Sequence, residues 1–262
     1  MPEKLVAIAP FLRSCQNLVT LGIRPSLGDY TSGQREMLLS AGQIFFPTQR
    51  FVRILQAAGK KTFPSAFAYS VQRSRLIQEV LFQFLKCPHP FTRIYYGRQK
   101  SSILEDFSFP FRAMSQKTSG IKRPVSNADD LRVLCDIYNP LIIQEVLDYE
   151  ERFLLVFVNY ACVGIIKRVS SGAQGEFESH AISSNQKLEQ GIGLEFFSKE
   201  IVSCLEKLLR ALQINDIAAE ICTTRRGWYL AELARPPLSW QTPYGVHNRF
   251  KLISSLIESN KF

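Results

Sequence analysis

Three features of the 262-residue sequence predict an α/β fold that starts with a small parallel sheet. Strand, helix, strand and helix signals follow one another within residues 5–58, the signature of a small α/β unit. A strongly amphipathic helix comes next, and two strand hairpins occupy the last third.

Leu5–Ala9 is a short apolar strand, Gly33–Ser40 has helical spacing, and Gln43–Phe46 reads as a strand stopped by Pro47. Phe51–Ala58 is a short helix, with Gly59 where a left-handed residue often ends one. The amphipathic helix carries Leu76, Ile77, Val80, Leu81, Phe84 and Leu85 on one stripe, and Cys87-Pro88-His89-Pro90 ends it. Thr92–Tyr96 is a β-branched and aromatic strand. A helix around 99–105 leads to the strand Phe109–Met114, followed by a polar, basic loop from Ser115 to Pro124. Asn127 caps a helix over Asp129–Cys135, and Leu141–Glu145 is a buried strand. Phe153–Val158 and Cys162–Arg168 stand at hairpin distance, and a Ser-, Gly- and Gln-rich loop runs from Ser170 to Gln190. The longest helix is marked by Leu194, Phe197, Ile201, Leu205, Leu208, Leu209 and Leu212. Ile217–Cys222 and Trp228–Leu233 form a second hairpin, and a terminal helix spans about 247–258. There is no internal repeat.

Composition narrows the classes. With 46% hydrophobic and 21% charged residues the chain is ordinary globular protein, which excludes disorder and collagen-like or coiled-coil architecture. The longest apolar run, Phe153–Ile166, is interrupted by Asn159, Tyr160 and Gly164, too short for a membrane span, so no membrane partner is expected. The N-terminus makes a poor secretory signal. Six widely spaced cysteines without a Cys-x-x-Cys pair suggest neither a zinc site nor a disulfide framework. The expectation is a cytoplasmic protein with reduced thiols. Charge is uneven: residues 1–125 carry 18 Lys and Arg against 6 Asp and Glu, the remainder 14 against 17. A basic half can attract nucleic acid or a phosphorylated small molecule, but the basic residues are scattered, so a solvated basic face explains them equally well.

The chemistry concentrates in the second hairpin. Glu220 and Glu232 fall at corresponding points of its strands, and strand alternation puts Ala218, Glu220 and Cys222 on one face and Leu230, Glu232 and Ala234 on one face of the partner. Facing carboxylates repel unless a cation lies between them. A hard cation such as magnesium suits oxygen ligands, although two exposed surface glutamates would show the same pattern.

Ile217-Ala218-Ala219-Glu220-Ile221 and Leu230-Ala231-Glu232-Leu233-Ala234-Arg235-Pro236-Pro237 resemble the two metal-binding strands of the ATP-grasp superfamily, in the branch of the ribosomal-protein glutamate ligase and glutathione synthetase. By this resemblance Glu220 and Glu232 are magnesium ligands. Gln144-Glu145-Val146-Leu147 resembles the hinge strand that binds adenine, and Glu150-Glu151-Arg152 resembles the Asp-x-Arg beyond it. Lys167-Arg168 resembles an Arg-Arg pair, and Gly175-Glu176-Phe177-Glu178-Ser179-His180 resembles Gly-Asp-Phe-Arg-Ser-Asn. Ser74-Arg75 resembles the Asp-Lys that meets the nucleotide, and Phe109-Pro110-Phe111-Arg112-Ala113-Met114 resembles the strand whose lysine grips phosphate. The resemblance implies an N-terminal α/β domain (1–68) followed by an α+β ATP-grasp module with a small lobe (69–145) and a large lobe (146–262). It also implies ATP and Mg2+ as cofactors, and a ligase that activates a carboxylate as acyl-phosphate for an amine or thiol, with Arg152 and Arg168 as catalytic cations.

Several positions depart from the pattern. Met114 replaces the phosphate-gripping lysine, a loss of a charge-assisted hydrogen bond of about 1.5–3 kcal/mol. The glycine-rich phosphate loop is reduced to a segment with Gly120 as its one glycine and Pro124 without an amide, where Lys117, Lys122 or Arg123 could supply charge. Glu178 replaces a cation, and His180 and Ala234 each replace an Asn. The sequence therefore fits a ligase with a rearranged phosphate grip, a degenerate ATP-grasp protein acting through a protein partner or a homo-oligomer, or a basic polyanion-binding protein. Nucleic acid is the least favoured partner. His89 reads as a turn residue, Trp228 and Trp240 as packing residues, and Cys222 as structural.

Overall fold

The computed structural model describes residues 4–168, 191–193, 197–242 and 245–262. It opens with a parallel sheet of β1 (Leu5–Ala7), β2 (Val19–Thr20), β3 (Gln43–Phe45) and β4 (Lys61–Phe63), in the order β2-β1-β3-β4. The helices α1 (Ser32–Ser40) and α2 (Gln49–Ala57) cross over between its strands. Thr31 caps α1 through a reciprocal pairing with Gln34. Two strands, β2 and β4, have no counterpart in the sequence reading, and β4 carries no apolar run such as those at Leu5–Ala9 and Gln43–Phe46.

Two helices then leave this domain, α3 (Ala66–Val71) and α4 (Arg75–Leu85). A second, antiparallel sheet consists of β5 (Thr92–Tyr95), β6 (Phe111–Ser115), β7 (Lys122–Val125) and β8 (Leu141–Glu145), ordered β5-β8-β6-β7. Its core packs under α5 (Ile103–Asp106), preceded by a 3-10 turn at Gly97–Ser102, and α6 (Ala128–Ile137), capped by Asn127 on the Asp130 amide. The expected loop 115–124 ends in the strand β7. Pro124 is tolerated there because β7 is an edge strand and needs no second set of amides.

A third sheet is built on β9 (Glu151–Val158), β10 (Ala161–Arg168) and β11 (Gly191–Ile192). The strands β12 (Asp216–Thr224) and β13 (Gly227–Ala234), which follow helix α7 (Lys199–Ala211), complete it, in sheet order β11-β10-β9-β12-β13. One face packs on α3, α4 and α7. Leu81, Phe82, Leu205 and Leu209 are buried against Leu155, Phe157 and Ile221, at about 1.5–3 kcal/mol for each large apolar side chain. The other face is covered by Trp240, whose ring lies so close to Gly164 that a Cβ there would stand 2.5 Å from its Nε1. Trp240 belongs to a hairpin absent from the sequence reading, β14 (Ser239–Thr242) with β15 (Gly245–Asn248). The terminal helix α8 (Arg249–Glu258) returns to the N-terminal sheet, where Ile253 and Ile257 join Phe45 and Phe63.

Helix α4 differs most from expectation. Its apolar stripe is only partly used: Val80 and Phe84 are exposed, 59% and 82%. Its buried face includes Arg75, Gln78 and Glu79, which periodicity assigns to solvent. Polar groups are buried only where partners meet them, so this face marks something other than core.

Candidate functional site

The two glutamates meet as the spacing predicts. In the antiparallel pairing of β12 and β13, Glu220 lies directly opposite Glu232. The register then slips: Ile221 pairs with Leu230, leaving Ala231 as a bulge. The bulge corrects the expected alternation, because it turns Leu230 into the core beside Leu233 while Glu232 stays with Glu220. Bulges re-aim side chains in this way beside binding sites.

Each carboxylate oxygen of the pair has a cationic nitrogen near it. On Glu220, Arg152 Nε donates to Oε1 at 3.1 Å and Arg168 Nη1 lies 3.6 Å from Oε2. On Glu232, Lys122 Nζ donates to Oε2 at 2.6 Å and Arg75 Nε lies 3.7 Å from Oε1. Burial alone would raise both carboxyls. For Glu220, Arg152, Lys122 and Arg168 outweigh it and hold the group at about 2, and for Glu232, Lys122 and Arg75 also bring it below its ordinary value. Arg112 stands nearby, its Nη1 donating to Gln144 Oε1 at 3.3 Å, and burial lowers its guanidinium despite the charge of Glu220. Arg152 also lies over the Tyr149 ring, 5.4 Å from its centroid.

Arg75 explains the buried polar face of α4. It is the first residue of its helix, behind the Ser74 cap, where the helix dipole disfavours a cation. Four backbone carbonyls offset that cost. Arg75 Nη1 donates to Lys117 O at 2.8 Å, Ile121 O at 3.0 Å and Ser115 O at 3.2 Å, and Nη2 to Thr118 O at 2.9 Å. The segment 115–121 is thus wrapped around a guanidinium with its carbonyls inward. Its amides are engaged as well: Ser115 N donates to Ile121 O, Thr118 N to Arg73 O and Gly120 N to Lys117 O. Gly120 is needed for this turn, since a Cβ there would stand 1.9 Å from Ser115 Oγ and 3.2 Å from the Lys117 carbonyl. Gln78 holds α4 to the hairpin, donating to Leu233 O at 2.7 Å and accepting from Leu233 N at 3.0 Å.

The remaining sequence-predicted positions are more dispersed. Met114 is buried in β6, directly across from Lys122, so the one ammonium near the expected phosphate grip comes from the neighbouring strand. Lys117 and Arg123 are exposed. Gln144 is buried at the cleft and donates to Thr92 Oγ1 at 3.1 Å. Glu145 turns back on β5, its backbone amide donating to Phe91 O and its Oε1 accepting from Phe91 N at 2.6 Å. Val146 is exposed and Leu147 half-buried, and Glu150 lies on the surface 3.8 Å from Arg225. Glu178 and His180 lie outside the described residues. The structure brings Arg75, Met114, Gln144, Arg152, Arg168, Glu220 and Glu232 to one cleft, and leaves Glu150 at its margin.

Sequence reasoning passed over Lys122 as an individual, Gln78, and the pair Glu79–His89. His89 Nε2 lies 3.2 Å from Glu79 Oε1, and this hydrogen bond raises the imidazole above its ordinary value. No sequence signal marked them, because burial of the polar side of α4 is visible only in the structure.

The arrangement can be tested against magnesium and a nucleotide. Magnesium demands near-octahedral oxygen ligands at about 2.0–2.1 Å. Here the four oxygens of Glu220 and Glu232 are already faced by nitrogen cations, and the described residues contain no group of three His, Cys, Asp or Glu side chains suited to a metal. The cavity between Arg75, Met114, Lys122, Gln144 and Glu232 measures about 20 Å³, room for one water. Three backbone amides of the segment 115–121, those of Ser115, Thr118 and Gly120, are bonded to carbonyls. As the described residues are arranged, the paired carboxylates do not offer magnesium a free oxygen set, and this cavity has no room for a phosphate.

The fold itself has close counterparts. A RimK-domain ATP-grasp protein from Sphaerobacter thermophilus DSM 20745 superposes with a TM-score of 0.60 at 12% identity, over 88% of this chain and 90% of that one. The N5-carboxyaminoimidazole ribonucleotide synthetase of Thermotoga maritima gives 0.62 at 15% identity, over 90% and 69%. The ATP-grasp ligase PsnB, in complex with a minimal precursor, gives 0.59 at 13% identity, over 88% and 89%. The chain therefore has the ATP-grasp fold. One PurK structure holds ADP, and one PsnB structure holds a precursor, magnesium and ADP. No family model matches the sequence, and no curated protein matches it. No helix among the described residues is long and apolar enough to cross a membrane.

Proposed function

We propose that this protein uses the ATP-grasp fold as a binding scaffold and does not carry out magnesium-dependent carboxylate activation. The observation that carries the reading is the pairing of all four oxygens of Glu220 and Glu232 with Lys122, Arg75, Arg152 and Arg168. Phosphoryl transfer in this fold's ligases depends on metal and cations neutralising the transferred phosphate. In this chain Met114 offers no charge, Arg75 is taken by carbonyls, and Lys122 by Glu232. The protein then acts through a protein partner or a second copy of itself. Incubation with Mg-ATP and a panel of amino acids, read as ADP and phosphate release, is expected to show no turnover above a no-enzyme blank. Sustained release that disappears in Glu232→Gln would overturn the reading.

A second reading, a working carboxylate–amine or –thiol ligase using ATP and Mg2+, is favoured by one observation: Glu220 and Glu232 keep their direct register. It requires Lys122 to leave Glu232 when ligand arrives and to serve as the phosphate cation that Met114 cannot be. The same turnover assay separates the two.

A further inference from the structure

We infer that Lys122 is a tethered cation standing in for the metal of this hairpin, and that it keeps divalent cations off an otherwise intact pair of carboxylates. The inference rests on the metal-free reading above and gives it a cause. Two glutamates facing each other across a bulged hairpin carry two negative charges in a largely buried place, and like charges there must be balanced. Glu220 is paired within its own lobe, with Arg152 of β9 and Arg168 of β10, and Lys122 adds charge from across the cleft. Glu232 has no such support from the described residues of the large lobe. Its cations come across the cleft, Lys122 from β7 and Arg75 from α4, and only Lys122 is at hydrogen-bond distance, 2.6 Å against 3.7 Å.

Arg75 is committed elsewhere, through its four loop carbonyls. Among the described residues Lys122 has one polar partner, Glu232, and its stem comes from an edge strand whose opposite residue is the apolar Met114. A lysine at position 114 would crowd a second ammonium into this small cavity; methionine leaves room for one. The pairing Met114–Lys122 therefore reads as one exchange, in which the cation moves from β6 to β7 and onto the carboxylate.

The test uses Mn2+ as a probe, read by the loss of the free-ion electron paramagnetic resonance signal during titration. The native 262-residue chain is expected to bind none at millimolar Mn2+. Lys122→Met is expected to bind at least about tenfold more tightly than native, because one repelling charge within about 4 Å is removed. Lys122→Gln, which keeps a hydrogen bond to Glu232, should behave likewise, and it covers the case in which the methionine variant misfolds by circular dichroism. Glu232→Gln in the Lys122→Met background should abolish the binding. A folded variant that stays silent while the native chain is also silent overturns the role of Lys122 and leaves the metal-free reading standing. Mn2+ binding by the native chain overturns both.

Discussion

The hairpin of β12 and β13 and the segment 115–121 face each other across the cleft, and they differ in what each retains. The hairpin keeps its carboxylates opposed in register, since that geometry follows from strand pairing and one bulge. The segment turns four carbonyls inward on Arg75, and three of its amides donate to backbone carbonyls, two of them within its own turn. A site built on strands preserves side-chain positions when its use changes. A loop whose backbone groups bond internally has fewer of them to offer a ligand.

The largest test of this contrast is Arg75→Met. It leaves the carbonyls of Ser115, Lys117, Thr118 and Ile121 without a shared donor and removes a charge facing Glu232, so a loss of about 3–5 kcal/mol is expected in urea unfolding. Hydrogen exchange should speed up in 115–121 and stay slow in β12. Arg75→Lys should recover only part of the loss, because an ammonium cannot span the fork of acceptors. Equal loosening of both regions would end the distinction.

Acid is the next lever. Glu220 is depressed from 4.5 to about 2 in the folded chain, so its contribution is complete above pH 4.5 and is lost as pH falls toward 2. The loss amounts to about 3 kcal/mol, and Glu220→Gln should flatten this part of the stability profile. At the other end of the cleft, His89 is raised by Glu79, so its contribution is full below 6.5 and disappears as pH rises through its folded value. A change of about 1 kcal/mol, abolished in His89→Gln, is expected there. The smallest effect belongs to the margin: Arg225→Ala, which removes an exposed pair with Glu150, should leave the melting temperature unchanged.

How far the sequence reveals this follows from the same contrast. Alternation and spacing placed Glu220 opposite Glu232, and the order of weak motifs led to the ATP-grasp fold. Period-2 and period-3.6 patterns could not reveal that the polar side of α4 is buried, since Arg75, Gln78 and Glu79 find partners far away in sequence, in the loop, in β13 and in His89. Nor could they show the Ala231 bulge, or that Lys122 rather than Lys117 or Arg123 turns inward. Short strands such as β4 and the β14–β15 hairpin that buries Trp240 carry no apolar run or clear alternation to mark them.

The most direct measurement is the melting temperature of the native chain with millimolar Mg-ATP, with ATP in EDTA, and with neither. A ligand at 100 times its dissociation constant adds about 2.7 kcal/mol, a shift of a few degrees. Coincident curves are expected. A magnesium-dependent rise that vanishes in Glu232→Gln would contradict the metal-free cleft.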